Sequence, residues 1–430
     1  MEKYLFRQVT YLDGQDLLVK QGDVLLENGI IKKLGKVSDD EAKGAVLFAQ
    51  GAENVLVPGY VNTHTHVAMT LLRDYGGDQA LDTWLNQYIW PAEARLTDED
   101  VYWGTSLGLL EMIASGTTCL VDMYDHCDAI AEAIELGGMR SVLCRGSVGM
   151  FDDTKRGIKE NDALYDRWHN SCNGKIHVWY GPHAPNTCPG EYIQEMVNHA
   201  RERGTGVHIH VAETQLECDY TREHYGMTPT GWLESLGVLD VPTLAAHSIW
   251  LTDEDLAIYA KRDVSVAHNP ISNLKLASGI APIERMRAMG MRVGLGTDGA
   301  SSNNIMSMHR EMQVTALLHK VRHFDPVAIG ARDALSIATL GGAKAVHWEN
   351  EIGSLEEGKQ ADMSLYKLTN PWNVPHHDVL SNLAYSAQMS EIDSVFVQGK
   401  CLYKHQEYTT LDKEKIMAQA EVRAKRLIQG

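Results

Sequence analysis

The chain has 430 residues, 44% hydrophobic and 22% charged, and its 57 acidic against 39 basic side chains give a formal charge of -18. That composition is ordinary for a globular protein, and the acidic balance excludes a phosphate-backbone binder, which needs a basic face. No uncharged apolar run approaches membrane-spanning length, Met1-Glu2-Lys3-Tyr4-Leu5-Phe6-Arg7 lacks the pattern of a secretory leader, and the seven scattered cysteines form no CxxC pair, so reduced thiols in a cytoplasmic protein are expected.

The first fifty residues alternate apolar and polar positions, with Asp13-Gly14 and Asn28-Gly29 as hairpin turns. Short antiparallel strands are expected at 17–19, 23–26 and 29–31. Similar material returns at 361–366, 394–397 and 401–403, the last two joined across Gly399-Lys400. A small β-sandwich domain from 1–56 and 360–410 is therefore expected, with a charged amphipathic helix in 411–430.

Between these ends, short apolar runs alternate with helical stretches, the rhythm of βα units. The expected strands are 55–61, 117–121, 141–144, 176–180, 207–209, 243–246, 264–267 and 293–296. Eight strands close an α/β (β/α)8 TIM barrel, here assigned to 57–359. Thr97-Asp98-Glu99-Asp100 and Thr252-Asp253-Glu254-Asp255 read as helix starts, each an N-cap followed by an acidic first turn. The runs end near His64, Asp122, Arg145, His183, His210, His247, His268-Asn269 and Asp298. Packing alone gives no reason for polar groups at every strand end, whereas a barrel enzyme builds its site at that face.

Thr63-His64-Thr65-His66 follows the first run. Two histidines at i and i+2 on a strand share a face, so both imidazoles reach one cation; taken alone, the pair also suits two surface histidines near a turn. His210 ends the fifth run, with Glu213 three residues later; His247 ends the sixth and Asp298 the eighth. Singly, His247 also reads as a core histidine and Asp298 as a helix N-cap. Together, His64, His66, His210 and Asp298 make a ligand set for one divalent metal with a position left open for water. Zinc is the first expectation, and iron or manganese also suits these ligands. Such a metal lowers the pKa of a water. Asp298 then takes the water's proton, His247 orients the attacking oxygen, and Glu213 protonates a ring nitrogen so that the adjacent carbon becomes electrophilic. An amine leaves as ammonia. His208, one layer deeper than His210, reads as a core histidine; His126, His169, His199, His224 and His319 read as surface or structural.

Several stretches carry a wider likeness: Pro58-Gly59-Tyr60-Val61-Asn62-Thr63-His64-Thr65-His66, Gly116-Thr117-Thr118, His268-Asn269-Pro270, Ser272-Asn273-Leu274-Lys275-Leu276, Gly296-Thr297-Asp298-Gly299 and Gly353-Ser354-Leu355-Glu356-Glu357-Gly358. The constellation resembles the amidohydrolase superfamily in its mononuclear deaminase branch. The fourth run ends in His183 with no lysine to bridge two metals, which favours one. Through Met69-Thr70-Leu71-Leu72-Arg73, Trp84-Leu85 and Tyr88-Ile89-Trp90-Pro91-Ala92-Glu93, the chain looks like the 5-methylthioadenosine/S-adenosylhomocysteine deaminases. The resemblance implies that Glu93 holds ribose hydroxyls, Trp84 lines the pocket, His183 contacts substrate, and Arg145, with Arg156 as a nearby competitor, pairs with an amino-acid carboxylate. It also implies a small nucleoside substrate, a homo-oligomer, and no nucleic-acid or membrane partner. Gly76-Gly77-Asp78-Gln79-Ala80 and Ser307-Met308-His309 depart from the family's usual acidic residues, in loops expected to shape the substrate tail. The expected reaction is hydrolytic deamination of the adenine ring of 5-methylthioadenosine and S-adenosylhomocysteine, with adenosine a further substrate. The alternatives are deamination of a guanine- or pterin-type heterocycle and removal of a substituent from a triazine. A metal-binding protein without catalysis fits less well, because metal binding alone needs neither Glu213 nor His247.

Overall fold

The computed structural model describes residues 2–429. Strands β1 (Tyr4–Asp13), β2 (Leu18–Glu27) and β3 (Ile30–Gly35) form an antiparallel meander. Its turns fall at Gly14 and at Asn28-Gly29, all with positive φ, as the alternation and turn residues predict. Positions 17–19 and 23–26, expected as separate strands, belong to the single strand β2, apart from Leu17 just before it. The second edge of β1 is shared: residues 4–7 pair with β4 (Val46–Gln50), and Thr10 and Tyr11 pair with β5 (Asn54–Pro58).

The chain then enters a closed parallel barrel of eight strands among the described residues. These are β6 (Tyr60–Thr65), β7 (Thr117–Tyr124), β8 (Arg140–Ser147), β9 (Ile176–Pro182), β10 (Val207–Val211), β11 (Thr243–His247), β12 (Ser265–His268) and β13 (Val293–Leu295). The run 55–61, expected as one barrel strand, is divided at Gly59: Asn54–Pro58 stays in the terminal sheet. A Cβ at Gly59 would lie 2.1 Å from the Thr118 hydroxyl oxygen, so the crossing packs too closely for any side chain. Both sides of the break are buried, and hydrophobicity therefore runs straight through it. His64 sits inside β6 rather than beyond its end.

The barrel closes between β13 and β6, where Leu295 pairs with Asn62. Side chains reinforce this seam. Asn62 donates to the Thr297 hydroxyl (2.8 Å) and accepts from the Thr297 backbone N–H (3.0 Å), and the Asp298 N–H donates to the His64 carbonyl (3.0 Å). The closure thus brings the first strand's histidines beside the last strand's aspartate.

After the barrel, β14 (Met363–Lys367) pairs antiparallel with β5, followed outward by β15 (Ile392–Val397), β16 (Lys400–Lys404) and β17 (Glu407–Tyr408). Both chain ends therefore build one mixed sheet. It turns back on itself around an aromatic cluster in which Phe396 of β15 meets Phe6 of β1 (5.8 Å) and Phe48 of β4 (4.9 Å). The expected N-caps at Thr97 and Thr252 are full capping boxes with Asp100 and Asp255. Asp100 also anchors the C-terminal helix Lys413–Gln429 by accepting from Arg426. No helix among the described residues is long and apolar enough to cross a membrane. All seven cysteines are free; burial pushes the thiols of Cys119 and Cys144, inside barrel strands, upward.

Candidate metal and catalytic centre

Four imidazoles and one carboxylate meet at the C-terminal mouth of the barrel. Asp298 Oδ1 lies 3.5 Å from His64 Nε2 and 3.4 Å from His66 Nε2. His64, His66 and Asp298 offer ligand atoms within 4.8 Å of one another, and so do His64, His210 and His247. The two sets share His64. The predicted ligands are therefore brought together, with His247 equally close.

The fit to a divalent cation rests on the nitrogens that are already engaged. His66 Nδ1–H donates to the Met123 carbonyl (2.5 Å) and His210 Nδ1–H to the His183 carbonyl (2.7 Å), while His64 Nδ1 lies 2.8 Å from His208 Nε2. Each ring thus leaves Nε2 free. His64 Nε2 is buried without a hydrogen-bond partner. Burial holds His64 and His210 well below the ordinary histidine range, which keeps both rings neutral, as ligation requires. A donor set of three imidazole nitrogens and one carboxylate oxygen suits a divalent metal.

Asp298 is held by its neighbours: Gly299 N–H donates to Oδ1 (2.7 Å), and Ser272 and Ser302 hydroxyls donate to Oδ2 (2.6 and 3.0 Å). Burial works to raise its carboxyl, but the His64, His66 and His247 imidazoles outweigh this and hold it well below the usual range. His247 Nε2 lies 3.7 Å from Glu213 Oε2, and its Nδ1–H donates to Asn273 Oδ1 (2.8 Å). Burial raises the Glu213 carboxyl. Burial also works to lower His247, yet the Glu213 and Asp298 carboxylates bring it above the ordinary value. The buried Glu217 carboxylate accepts the backbone N–H of both Ala212 and Glu213 (2.7 and 2.9 Å), fixing the turn that carries Glu213.

These turns are strained. Ala212, His247, Ser248 and Asp298 have φ of +51°, +68°, +51° and +60°. Left-handed backbone at a non-glycine residue costs on the order of 1–2 kcal/mol, and such residues concentrate where a site dictates direction.

A cavity of about 500 Å³ opens over this floor, and Trp84, Glu93, Arg145, His183, Glu213, His247 and Asp298 all face it. His64 lies beneath it. Glu93 is pushed up to about 7 by burial, against the hydrogen bond that Tyr124 O–H donates to it (2.6 Å). Burial lowers His183 to about 4, and its Nδ1 is paired with the Thr187 hydroxyl (2.9 Å). Arg145 is pinned between Asp125 (2.9 Å) and Glu160 (2.8 Å) with a side chain 12% exposed, whereas Arg156 shares only Glu160 and is 62% exposed. Both arginines line the cavity.

Two readings are revised by the geometry. Ser307-Met308-His309 does not border the cavity: Ser307 caps the helix Met308–His323, which turns His309 toward Tyr366 O–H (3.0 Å) and the Ala387 carbonyl (3.0 Å) in the terminal part of the chain. His268, though it ends β12, points outward to His319 (3.1 Å), and Asn269 beside it faces His247 instead. Of the residues that orient the site, Ser302 and Glu217 carry no mark in the sequence, Ser272 and Asn273 enter it only through the wider likeness, and His208 reads there as a core histidine. Ser272, Asn273 and Ser302 are short polar residues in buried segments just after strands, which read equally well as turn formers.

Barrel, capping sheet and histidine floor define an amidohydrolase-type architecture. The chain belongs to the amidohydrolase family, whose sequence pattern matches residues 55–402. It is 48% identical over 424 residues to the 5-methylthioadenosine/S-adenosylhomocysteine deaminase of Moorella thermoacetica, covering 98% of this chain and 99% of that one. It is 44% identical over 418 residues to that of Syntrophomonas wolfei, covering 97% of each. Among solved structures, an adenosine deaminase from Xanthomonas campestris with bound zinc superposes with a TM-score of 0.93 at 31% identity, over 99% of both chains. The resemblance to the 5-methylthioadenosine/S-adenosylhomocysteine deaminases thus extends over nearly the whole chain.

Proposed function

We propose that this protein hydrolytically deaminates the adenine ring of 5-methylthioadenosine and S-adenosylhomocysteine, giving the inosine analogue and ammonia. The observation that carries this reading is the pairing of Glu213 with His247 (3.7 Å) directly above inward-facing imidazoles, in a cavity that also holds Glu93. The likeness in sequence to deaminases of that name supports the substrate class.

His64, His66, His210 and Asp298 would hold one divalent metal, with zinc suited to the donor set and present in the Xanthomonas relative. That metal supplies a water of lowered pKa at neutral pH. The protein's own groups do the rest. Glu213, whose carboxyl burial raises, is the group placed to donate a proton to a ring nitrogen and so draw electrons from the adjacent carbon. His247 Nε2 hydrogen-bonds the attacking oxygen and fixes its approach. Asp298 accepts one proton from this oxygen and passes it to the departing amine, and the oxygen's second proton returns to Glu213 as the carbonyl forms and ammonia leaves. Glu93 accepts from the ribose hydroxyls, and the Trp84 ring walls the nucleoside. Arg156, more exposed than Arg145 and paired with one carboxylate rather than two, is the better placed to meet a charged tail. The unpaired cysteines fit a reducing cytoplasm.

The test incubates metal-loaded protein with S-adenosylhomocysteine, 5-methylthioadenosine, adenosine and guanine, reading ammonia release and product mass. Release from the thioethers is expected; release from guanine alone would move the substrate to another heterocycle. Glu213→Gln is expected to keep its metal and lose about 10²–10⁴-fold in kcat. A rate within a few-fold of the parent would remove Glu213 as the acid.

A further inference from the structure

We infer that His208 is a positioning residue: it sets the tautomer of His64 and so aims the His64 Nε2 lone pair at the metal. The inference rests on the metal site proposed above and adds a residue to it.

His208 is fully buried on β10, two residues before His210. Its Nδ1 lies 2.9 Å from the Leu244 carbonyl of β11, a contact that only an N–H can make. A neutral imidazole carries one proton, so His208 Nε2 is a bare acceptor. That atom sits 2.8 Å from His64 Nδ1. If His64 carried its proton on Nε2, two bare nitrogens would face each other at this distance inside a buried site. His64 must therefore carry its proton on Nδ1 and donate it to His208, which leaves His64 Nε2 unprotonated. This is the buried atom without a partner, 3.5 Å from Asp298 Oδ1.

The other two rings obtain the same tautomer from fixed backbone carbonyls, of Met123 and His183. His64 alone takes it from another side chain, and that side chain takes its own from a neighbouring strand. The sequence Leu244 carbonyl, His208, His64 thus passes a hydrogen-bond direction across the barrel interior. Groups that orient a ligand in this way are worth about 10–100-fold in metal affinity.

The experiment uses the full chain and Co²⁺ as probe, with affinity measured by chelator competition and coordination by the visible absorption of the complex. His208→Leu removes the acceptor at similar volume; His208→Gln restores an acceptor oxygen. Melting of the metal-free proteins by circular dichroism reports folding separately. His208→Leu is expected to fold, to bind Co²⁺ about 10–100-fold more weakly, and to show an altered spectrum, with His208→Gln recovering most of the affinity. Parent-like affinity and spectrum in His208→Leu would overturn the inference, as would a folded His208→Gln that is as weak as His208→Leu. Should His208→Leu not fold, His208→Met carries the same comparison; if none of the variants folds, His208 is a core residue and the inference is wrong. A parent that takes up no Co²⁺ would instead overturn the metal site itself.

Discussion

Glu93 shows how burial and a single hydrogen bond can tune a residue proposed to bind substrate. Burial raises its pKa to about 7, and Tyr124 already occupies Oε1, leaving Oε2 for substrate. Only the ionised carboxylate offers acceptors on both oxygens. Ribose hydroxyls should therefore bind best above the Glu93 pKa. KM for the nucleoside is expected to fall roughly tenfold from pH 6 to pH 8, as one group ionises across its pKa, with kcat changing much less. Glu93→Gln should raise KM and flatten that profile. Initial rates at saturating metal across this range decide the matter, and an unchanged KM profile in the parent would separate Glu93 from the sugar.

At the scale of the element, the barrel strands were legible because each buried run stops at a polar residue, and the residues proposed as ligands and catalytic groups stand at or near those stops. Two things were hidden. One is the sheet change at Gly59, where buried strand continues as buried strand and only a close approach to Thr118 forces the break. The other is the layer that orients the ligands: a buried serine or asparagine carries no sequence mark that separates it from a turn residue, and Ser307-Met308-His309 shows the reverse error, a polar stretch facing away from the cavity. Gly296, just beyond β13, joins both layers. A Cβ there would lie 2.3 Å from Asn269 Oδ1 and 2.9 Å from the His64 backbone nitrogen. The amide could swing, but the backbone of β6 could not. Gly296→Ala is expected to cost about 1–3 kcal/mol by overpacking and to weaken metal binding by displacing His64. Gly77→Ala, which meets nothing within 4 Å, serves as the control. Paired melting curves and metal titrations test this; loss of stability with unchanged metal affinity would show that the strand end tolerates the push.

Across the whole molecule, the buried ionisable groups set opposing pH dependences. His183 and His208 are lowered to about 4 and about 3, and His64, His210 and His268 also lie well below their ordinary value, in each case chiefly through burial. A histidine depressed on folding contributes stability above its unfolded pKa and loses it as pH falls toward the folded value. These groups should therefore destabilise the metal-free protein from about pH 6.5 downward. Buried carboxylates act in the opposite sense. Asp122, Glu93 and Glu217 are raised to about 7 and Glu311 to about 8, again chiefly by burial. A carboxylate raised on folding stabilises below its unfolded pKa and loses that contribution as pH rises through the folded one. These carboxylates should therefore cost stability progressively from about pH 4.5 up to about pH 7–8, opposing the histidines below pH 6.5 and acting alone above it. The metal-free protein is expected to melt highest near pH 6.5, with Glu311→Gln changing little at pH 5 and lifting stability progressively toward pH 8. Metal binding should weaken the acid limb, because the ligand imidazoles are then held against protonation until the metal leaves. Calorimetric scans from pH 5 to pH 8.5, with and without chelator, would reveal both limbs; a melting temperature that rises steadily to pH 8.5 would show that these carboxylates ionise in the fold without cost.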